Sequence, residues 1–236
     1  NALHFKNALG QWVTVNHHLK PSTPGRFEAP DQWVPAGLDV NKQYTFLSEH
    51  AQEMRFNQWE LWGTTSAGEK RLLYKADWDR RDVGEDGMMV HDLFPGIDAQ
   101  ILFLRGAIKT NFILRAALDV PYTTLWIRDR FSADTETSLS FEKGSDALQS
   151  ADILIHTPGH DLRMGRAVSF PESDRKAFHY LNYLLEGSHV SIEVTPELFN
   201  NPSASYPIII DPLVSSSNSV AQAAINYFYN ASCNFD

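Results

Sequence analysis

The chain has 236 residues, 43% hydrophobic and 21% charged, which is enough to bury a sizeable core without disulfide or metal staples. A formal net charge of −9 argues against the domain as a whole gripping nucleic acid, because phosphate binding needs a basic stripe. The single cysteine, Cys233, excludes an intrachain disulfide and a multi-cysteine zinc site, and reads as a small buried hydrophobe. No run of eighteen apolar residues predicts a membrane span, and no signal-peptide pattern is present. The first residue is Asn1 rather than Met, as expected either of a truncated chain or of a piece cut from a longer polyprotein.

Residues 1–50 read as an extended N-terminal arm, with one short strand over Gln11–Val15 and then a passage broken by Pro21, Pro24, Pro30 and Pro35. Trp12 and Trp33 suggest that this arm docks on something apolar. Residues 51–236 read as one β domain. Arg55–Trp78 predicts a hairpin-like pair around Ser66-Ala67-Gly68, and residues 79–100, with Gly84-Glu85-Asp86-Gly87 and Phe94-Pro95-Gly96, read as loop with one helical turn. Ile101–Phe131 reads as two consecutive strands. From Ile108 the side chains alternate, with Ile108, Phe112 and Leu114 on one face and Lys109, Asn111 and Arg115 on the other, as a sheet with one dry face requires. Leu125 and Ile127, among Tyr122, Thr123, Thr124 and Trp126, continue the signal.

Further along, Ala151–His156 is a short apolar strand ending at Pro158-Gly159. Ser173–Glu186 carries helix-capping chemistry, with Ser173 at one end and Gly187 at the other. Ser188–Pro196 alternates, Val190, Ile192 and Val194 facing inward. Tyr206–Val214, interrupted by Pro207 and Pro212, is expected to be short or edge-like. A last strand is expected over Ile225–Phe235. About eight strands, long loops, one or two short helices and no alternation of strand with helix predict an all-β antiparallel sandwich.

Candidate chemistry is sparse. Ile155-His156-Thr157-Pro158-Gly159-His160-Asp161 resembles a zinc-ligating stretch of metallo-β-lactamase-type hydrolases, but the His-x-His-x-Asp-His cluster that completes their metal shell is missing, and only His17-His18 stands upstream. Asp129, Asp134 and Glu136, or Asp82, Glu85 and Asp86, could pair as acid and base or hold calcium; solvated loop carboxylates are the commoner case. No nucleophile elbow, P-loop or dinucleotide fingerprint is present. Asn230-Ala231-Ser232 matches a glycosylation sequon inside the expected last strand. Trp59, Trp62, Trp78 and Trp126 could line a carbohydrate or base-stacking groove, although Trp in a β domain more often anchors a core or an interface. No catalytic, cofactor or metal residue is therefore assigned.

The order of these features resembles a jelly-roll capsid protein of picorna-like viruses. Arg105-Gly106 followed by Lys109-Thr110-Asn111-Phe112 matches the family's middle strand, and Tyr122–Arg128 the strand after it. Upstream, Trp62–Gly68 with Leu72-Leu73 is similar to the first core strand and its turn. Phe178–Asn182 and Ser191–Pro196 are similar to a later strand pair ending in Val-x-Pro, which makes Phe178–Leu184 an expected strand after a short helix. The resemblance covers the chain from Trp59 onward. It departs where some insect-virus relatives carry Asp-Asp-Phe, linked to maturation cleavage; here Cys233-Asn234-Phe235 stands, and Asn is no proton-accepting carboxylate. The resemblance implies an eight-stranded jelly roll, a structural subunit rather than an enzyme, and homologous capsid proteins of the same virion as partners. It also implies a possible host receptor, an open question of RNA contact, and location in a virion assembled in the host cytoplasm. Two other readings stand beside it: a β-sandwich module binding carbohydrate or calcium, and a metal-dependent hydrolase using His156 and His160.

Overall fold

The computed structural model describes residues 4–6, 10–32, 34–49, 52–133, 137–142, 148–157 and 160–216. Those residues form twenty-four strands and one short helix, in antiparallel sheets, against the eight strands expected. β1 (His4–Lys6) and β2 (Trp12–Thr14) make a two-stranded ribbon on which Trp12 is exposed, with the Lys6 ammonium over its ring. The arm expected over residues 1–50 is instead largely a meander: β3 (Lys20–Thr23), β4 (Arg26–Ala29), β5 (Ala36–Asp39), β6 (Tyr44–Glu49) and β7 (Gln52–Phe56) form a five-stranded sheet. The prolines explain the difference. Pro21 sits on the edge strand, and Pro24, Pro30 and Pro35 fall between strands, so they punctuate the sheet without removing a ladder bond from its middle. Ala29, Val34, Ala36, Leu38 and Leu47 join the main core, which a free arm could not do.

β8 (Glu60–Thr64) and β9 (Lys70–Lys75) are the hairpin expected around Ser66–Gly68. β10 (Arg81–Val83) and β11 (Gly87–Phe94) occupy most of the stretch expected to be loop and helical turn. The glycines there are turn residues of two successive hairpins: Gly84 donates its N–H to the Gly87 carbonyl, and Gly96 takes φ +81° before β12 (Ile97–Leu104). β13 (Ala107–Leu114) follows, so Arg105-Gly106 is the turn of a hairpin rather than the start of a strand. Phe103 pairs with Ile108, Ile101 with Thr110, Ala99 with Phe112 and Ile97 with Leu114, and all eight side chains are buried on one face. β14 (Thr124–Arg130) carries the next alternation, Leu125, Ile127 and Asp129 inward.

β15 (Ser138–Phe141), β16 (Leu148–Gln149), β17 (Ile153–Thr157) and β18 (His160–Met164) follow, β17 covering the short strand expected at Ala151–His156. β19 (Val168–Pro171) and β20 (His179–Tyr180) pair across a turn at Asp174–Ala177, where helix was expected. The cap signals there act locally: Phe178 and Tyr180 stay exposed, and Leu181 and Tyr183 enter the core beyond β20. β21 (Tyr183–Glu186) is the hairpin partner of β22 (His189–Val194), the expected alternating strand, while His179–Tyr180 of the strand expected over Phe178–Leu184 pairs with β19. α1 (Pro196–Phe199) starts at the proline that follows β22. β23 (Ile208–Asp211) and β24 (Leu213–Ser216) are interior strands, not edges, because Pro212 lies in the break between them and its carbonyl still accepts the Thr110 N–H. The expected strand at Ile225–Phe235 lies outside the described residues.

Two sheets pack face to face as a β-sandwich. One contains the order β9-β8-β14-β22-β21-β16, and the other the order β10-β11-β12-β13-β24-β18-β17-β15 with β19, β20 and β23 alongside. Leu61, Ile127, Ile192 and Val194 of the first meet Ile101, Phe112, Met164 and Val214 of the second in one continuous core. Trp59 packs edge-on against Phe112, at 5.1 Å between centroids, and tilted against Trp78 at 5.9 Å. Burying side chains of this size contributes on the order of 2–3 kcal/mol each.

Gly87 opens β11 where a Cβ would stand 2.0 Å from the Ile101 carbonyl oxygen, whereas a Cβ on Gly84 would meet nothing nearer than 3.8 Å. Gly87→Ala is therefore expected to destabilise the fold by about 2 kcal/mol or more, and Gly84→Ala to stay within about 0.5 kcal/mol of the parent. Thermal or urea unfolding of the two variants checks the contrast.

Candidate functional site

Three groups of polar side chains among the described residues bear on the candidate chemistry, two on the surface and one inside. On the surface of the larger sheet, β17 and β18 pair His156 directly opposite Asp161, and the edge strand β15 lies on the other side of β17. His156 Nδ1 is 2.9 Å from Asp161 Oδ1, and its Nε2 is 3.1 Å from Ser140 Oγ. His156, one of the two histidines suggested for a metal-dependent hydrolase, thus meets Asp161 in a hydrogen-bonded chain with a serine that the sequence reading passed over. The His160 side chain lies outside what the structure describes. The order Ser–His–Asp is that of a hydrolase triad. Ser140 stands on β15, a strand paired with β17.

At the end of the β10–β11 hairpin, His17 and His18 meet Glu85 and Asp86. His17 Nε2 is 3.6 Å and His18 Nε2 is 3.3 Å from Asp86 Oδ1, and His18 Nδ1 is 3.9 Å from Glu85 Oε2. Two separately noted pairs, one of histidines and one of carboxylates, form this second cluster. Asp82, grouped with them in the sequence, turns away and contacts His91 at 3.0 Å. Burial holds the His17 imidazole below its ordinary pKa, with Asp86 opposing and His18 and Arg105 adding to the shift.

The third feature is internal. Asp129 projects from the middle of the sandwich into a void of about 10 Å³, room for no more than one water, between Asn57, Trp59, Thr110, Phe112 and Val190. Its Oδ2 accepts the Asn57 N–H at 2.9 Å, and its Oδ1 accepts the N–H groups of Gln58 at 2.8 Å and Arg130 at 2.7 Å. Asn57, at φ +66°, donates through Nδ2 to Thr45 Oγ1 and lies 3.4 Å from the Thr110 hydroxyl. Asp129 is thus a backbone anchor; Asp134 and Glu136, with which it was grouped in the sequence, lie outside the described residues. Burial outweighs the three N–H donors and pushes its carboxyl up to about 7. Asp211, also buried, is raised in the same way against the opposing pull of Lys109, whose ammonium is 2.6 Å away.

The tryptophans divide. Trp59 and Trp78 are core residues, while Trp62 and Trp126 form a cross-strand pair on the outer face of the smaller sheet. There Arg128 lies over Trp62 at 5.3 Å and Lys70 over Trp126 at 4.9 Å, covering the rings with cations rather than leaving an open stacking groove. Among the described residues no helix is long and apolar enough to cross a membrane. Cys233 and the sequon at Asn230 lie outside the described residues. No protein-family model matches this chain, and no curated protein matches it in sequence.

The Asp129 carboxyl has a sign that can be checked. Its folded pKa lies above its unfolded value, so the folded state holds the proton more tightly between about pH 4 and 7. Stability is expected to be highest below that window and to fall as pH rises through it, by at most about 1.4 kcal/mol per pH unit from this group. Asp129→Asn should make the fall of melting temperature between pH 5 and 7 shallower, leaving the part due to Asp211 and the opposing part due to His17 and His189, whose lowered pKa values favour the folded state as pH rises.

Proposed function

We propose that this chain is a structural capsid subunit of a small non-enveloped icosahedral RNA virus of the picorna-like kind, assembling with homologous subunits into the virion shell. The observation that carries the proposal is the strand order. Within the two packed sheets, β12-β13-β24-β18 lies against β8-β14-β22-β21. In this set only β12–β13 and β21–β22 are consecutive neighbours; every other connection passes from one sheet to the other. Such crossing between sheets is shared by Greek-key sandwiches, the class to which jelly rolls belong, and supports the reading at that level, with the β10-β11-β12-β13 meander as an elaboration. The resemblance of Arg105–Leu114, Tyr122–Arg128 and Ser191–Pro196 to the capsid pattern falls on β13, β14 and β22, at the centre of this set.

Surface chemistry supports the same reading. Edge strand β9 exposes Leu72 and Tyr74, the opposite edge strand β16 exposes Leu148, and Phe178 and Tyr180 stack edge-on at 5.5 Å beside β20. Apolar groups at both lateral edges of one sheet suit a tile that meets neighbours on two sides. A net charge of −9 fits contacts between subunits better than direct packing of a genome by this domain. The virion, assembled in the host cytoplasm, is the corresponding location, and a host receptor a further partner.

Sedimentation velocity and electron microscopy of the purified chain, alone and with the neighbouring products of its reading frame, test this. Higher-order closed assemblies are expected. Leu72→Glu with Tyr74→Glu should abolish them while moving the melting temperature by no more than about 2 °C, since both positions are exposed. A monomer at every concentration, with and without those neighbours, overturns the proposal. The Ser140–His156–Asp161 chain favours one other reading, a hydrolase. Covalent labelling of Ser140 by a fluorophosphonate, abolished by His156→Ala, would support it; an unlabelled Ser140 removes it.

A further inference from the structure

We propose that His17, His18 and Asp86 form a binding site for a divalent transition-metal ion of the zinc class, one that clasps the segment before β3 to the tip of the β10–β11 hairpin. The ligand atoms of the three residues all lie within 4.8 Å of one another. Ligands about 2.0–2.1 Å from a tetrahedral ion stand roughly 3.3–3.4 Å apart. The His18–Asp86 separation of 3.3 Å and the His17–Asp86 separation of 3.6 Å already match two edges of such a tetrahedron.

Consecutive residues of an extended strand point to opposite faces. His17 and His18 do not, because Asn16 Oδ1 accepts the His18 N–H in a local turn, and the two rings meet edge to face at 5.1 Å. Backbone bonds hold both halves of the site in place. The Leu19 N–H donates to the Glu85 carbonyl, the Phe103 N–H donates to the Asp86 carbonyl, and the Asn16 N–H donates to the Asp31 carbonyl. The site is thus built by two segments far apart in sequence and anchored on either side of the ligands.

The donor set decides the metal. Two imidazole nitrogens and one carboxylate suit zinc and its neighbours, whereas calcium asks for six to eight oxygens. With His18 Nε2 turned to Asp86, its Nδ1 faces Glu85 at 3.9 Å, the place of the outer carboxylate that orients a metal-bound histidine. Three protein ligands leave a fourth position for water or for a group from a neighbouring molecule.

Equilibrium dialysis of the full chain against ZnCl₂ after chelator treatment reads this directly. One saturable equivalent is expected, with calcium at a hundredfold excess failing to compete. His17→Ala, His18→Ala and Asp86→Asn should each weaken binding at least tenfold, and Glu85→Gln by roughly tenfold. His156→Ala should leave it unchanged, which separates this site from the His156–Asp161 pair. A circular dichroism spectrum matching the parent shows that a loss is local, and if His17→Ala or His18→Ala misfolds, Asp86→Asn at the exposed hairpin tip carries the test. No saturable zinc binding by the parent, or binding that survives Asp86→Asn and His18→Ala undiminished, overturns the site. Either result leaves the capsid proposal to its own assembly assay.

Discussion

The carboxylate of Asp129 is the constraint from which the layout of the described residues follows. It sits on β14, the strand paired with both β8 and β22, and it accepts the backbone N–H groups of Asn57 and Gln58. Those two residues form the corner where the five-stranded meander ends and the sandwich begins. Asn57 turns that corner with positive φ, which removes its amide from any ladder, and a buried amide without an acceptor would cost on the order of 1–3 kcal/mol. One side chain therefore satisfies the donors that the change of direction exposes. An apolar residue at 129 could fill the volume but leave these N–H groups unpaired, which is why a charge-bearing group occupies the middle of an otherwise apolar core.

A second tie, of a different kind, holds the meander to the larger sheet. Gln32 is buried between β4 and β5, where its amide nitrogen donates to the Ala29 carbonyl and its oxygen accepts the Gly106 N–H at 3.0 Å. Gly106 is the turn residue of the β12–β13 hairpin, at φ +75°. The turn thus does two things: it reverses the chain and it presents an outward N–H to a residue seventy-four positions earlier. Arg26 adds an ion pair to Glu28 and a further contact to Glu53 across the meander, with its guanidinium over the Phe46 ring at 4.2 Å. The meander therefore packs as part of the body and does not hang from it.

Much of the sandwich was legible because one buried face imposes a period of two. Ile108, Phe112 and Leu114, and Val190, Ile192 and Val194, point inward as their spacing requires. The reading failed where that period is hidden. In Ile101-Leu102-Phe103-Leu104 every residue is apolar, so the strand before the turn merged with the one after it, and Arg105-Gly106 passed for a strand start. Prolines were overread in the first fifty residues, since their positions between strands cannot be told from sequence alone. Between Ser173 and Glu186 the capping residues argue for a helix, yet Leu181 and Tyr183 reach the core only from an extended chain. The surface clusters were less legible still. Asp86 lies far from His17 in sequence, and Ser140 is one serine among many; only the pairing of β15 with β17 gives it a histidine.

The distribution of polar groups also bears on what kind of work the fold does. The sandwich interior holds voids of about 10 Å³ at Asp129 and beside Phe199, each the size of a single water, so its polar network serves packing. Reactive side chains gather instead on the outside: at a hairpin tip for His17, His18 and Asp86, and near a sheet edge for Ser140, His156 and Asp161. Rims and edges are where a second molecule would arrive. A metal held by three ligands at a hairpin tip keeps a coordination position that a neighbouring side chain could fill, while Leu72 and Tyr74 on β9 offer apolar area along the same kind of boundary. Among the described residues, Asp129 inside the sandwich ties strands and corner together, whereas the histidine clusters lie where the chain meets solvent.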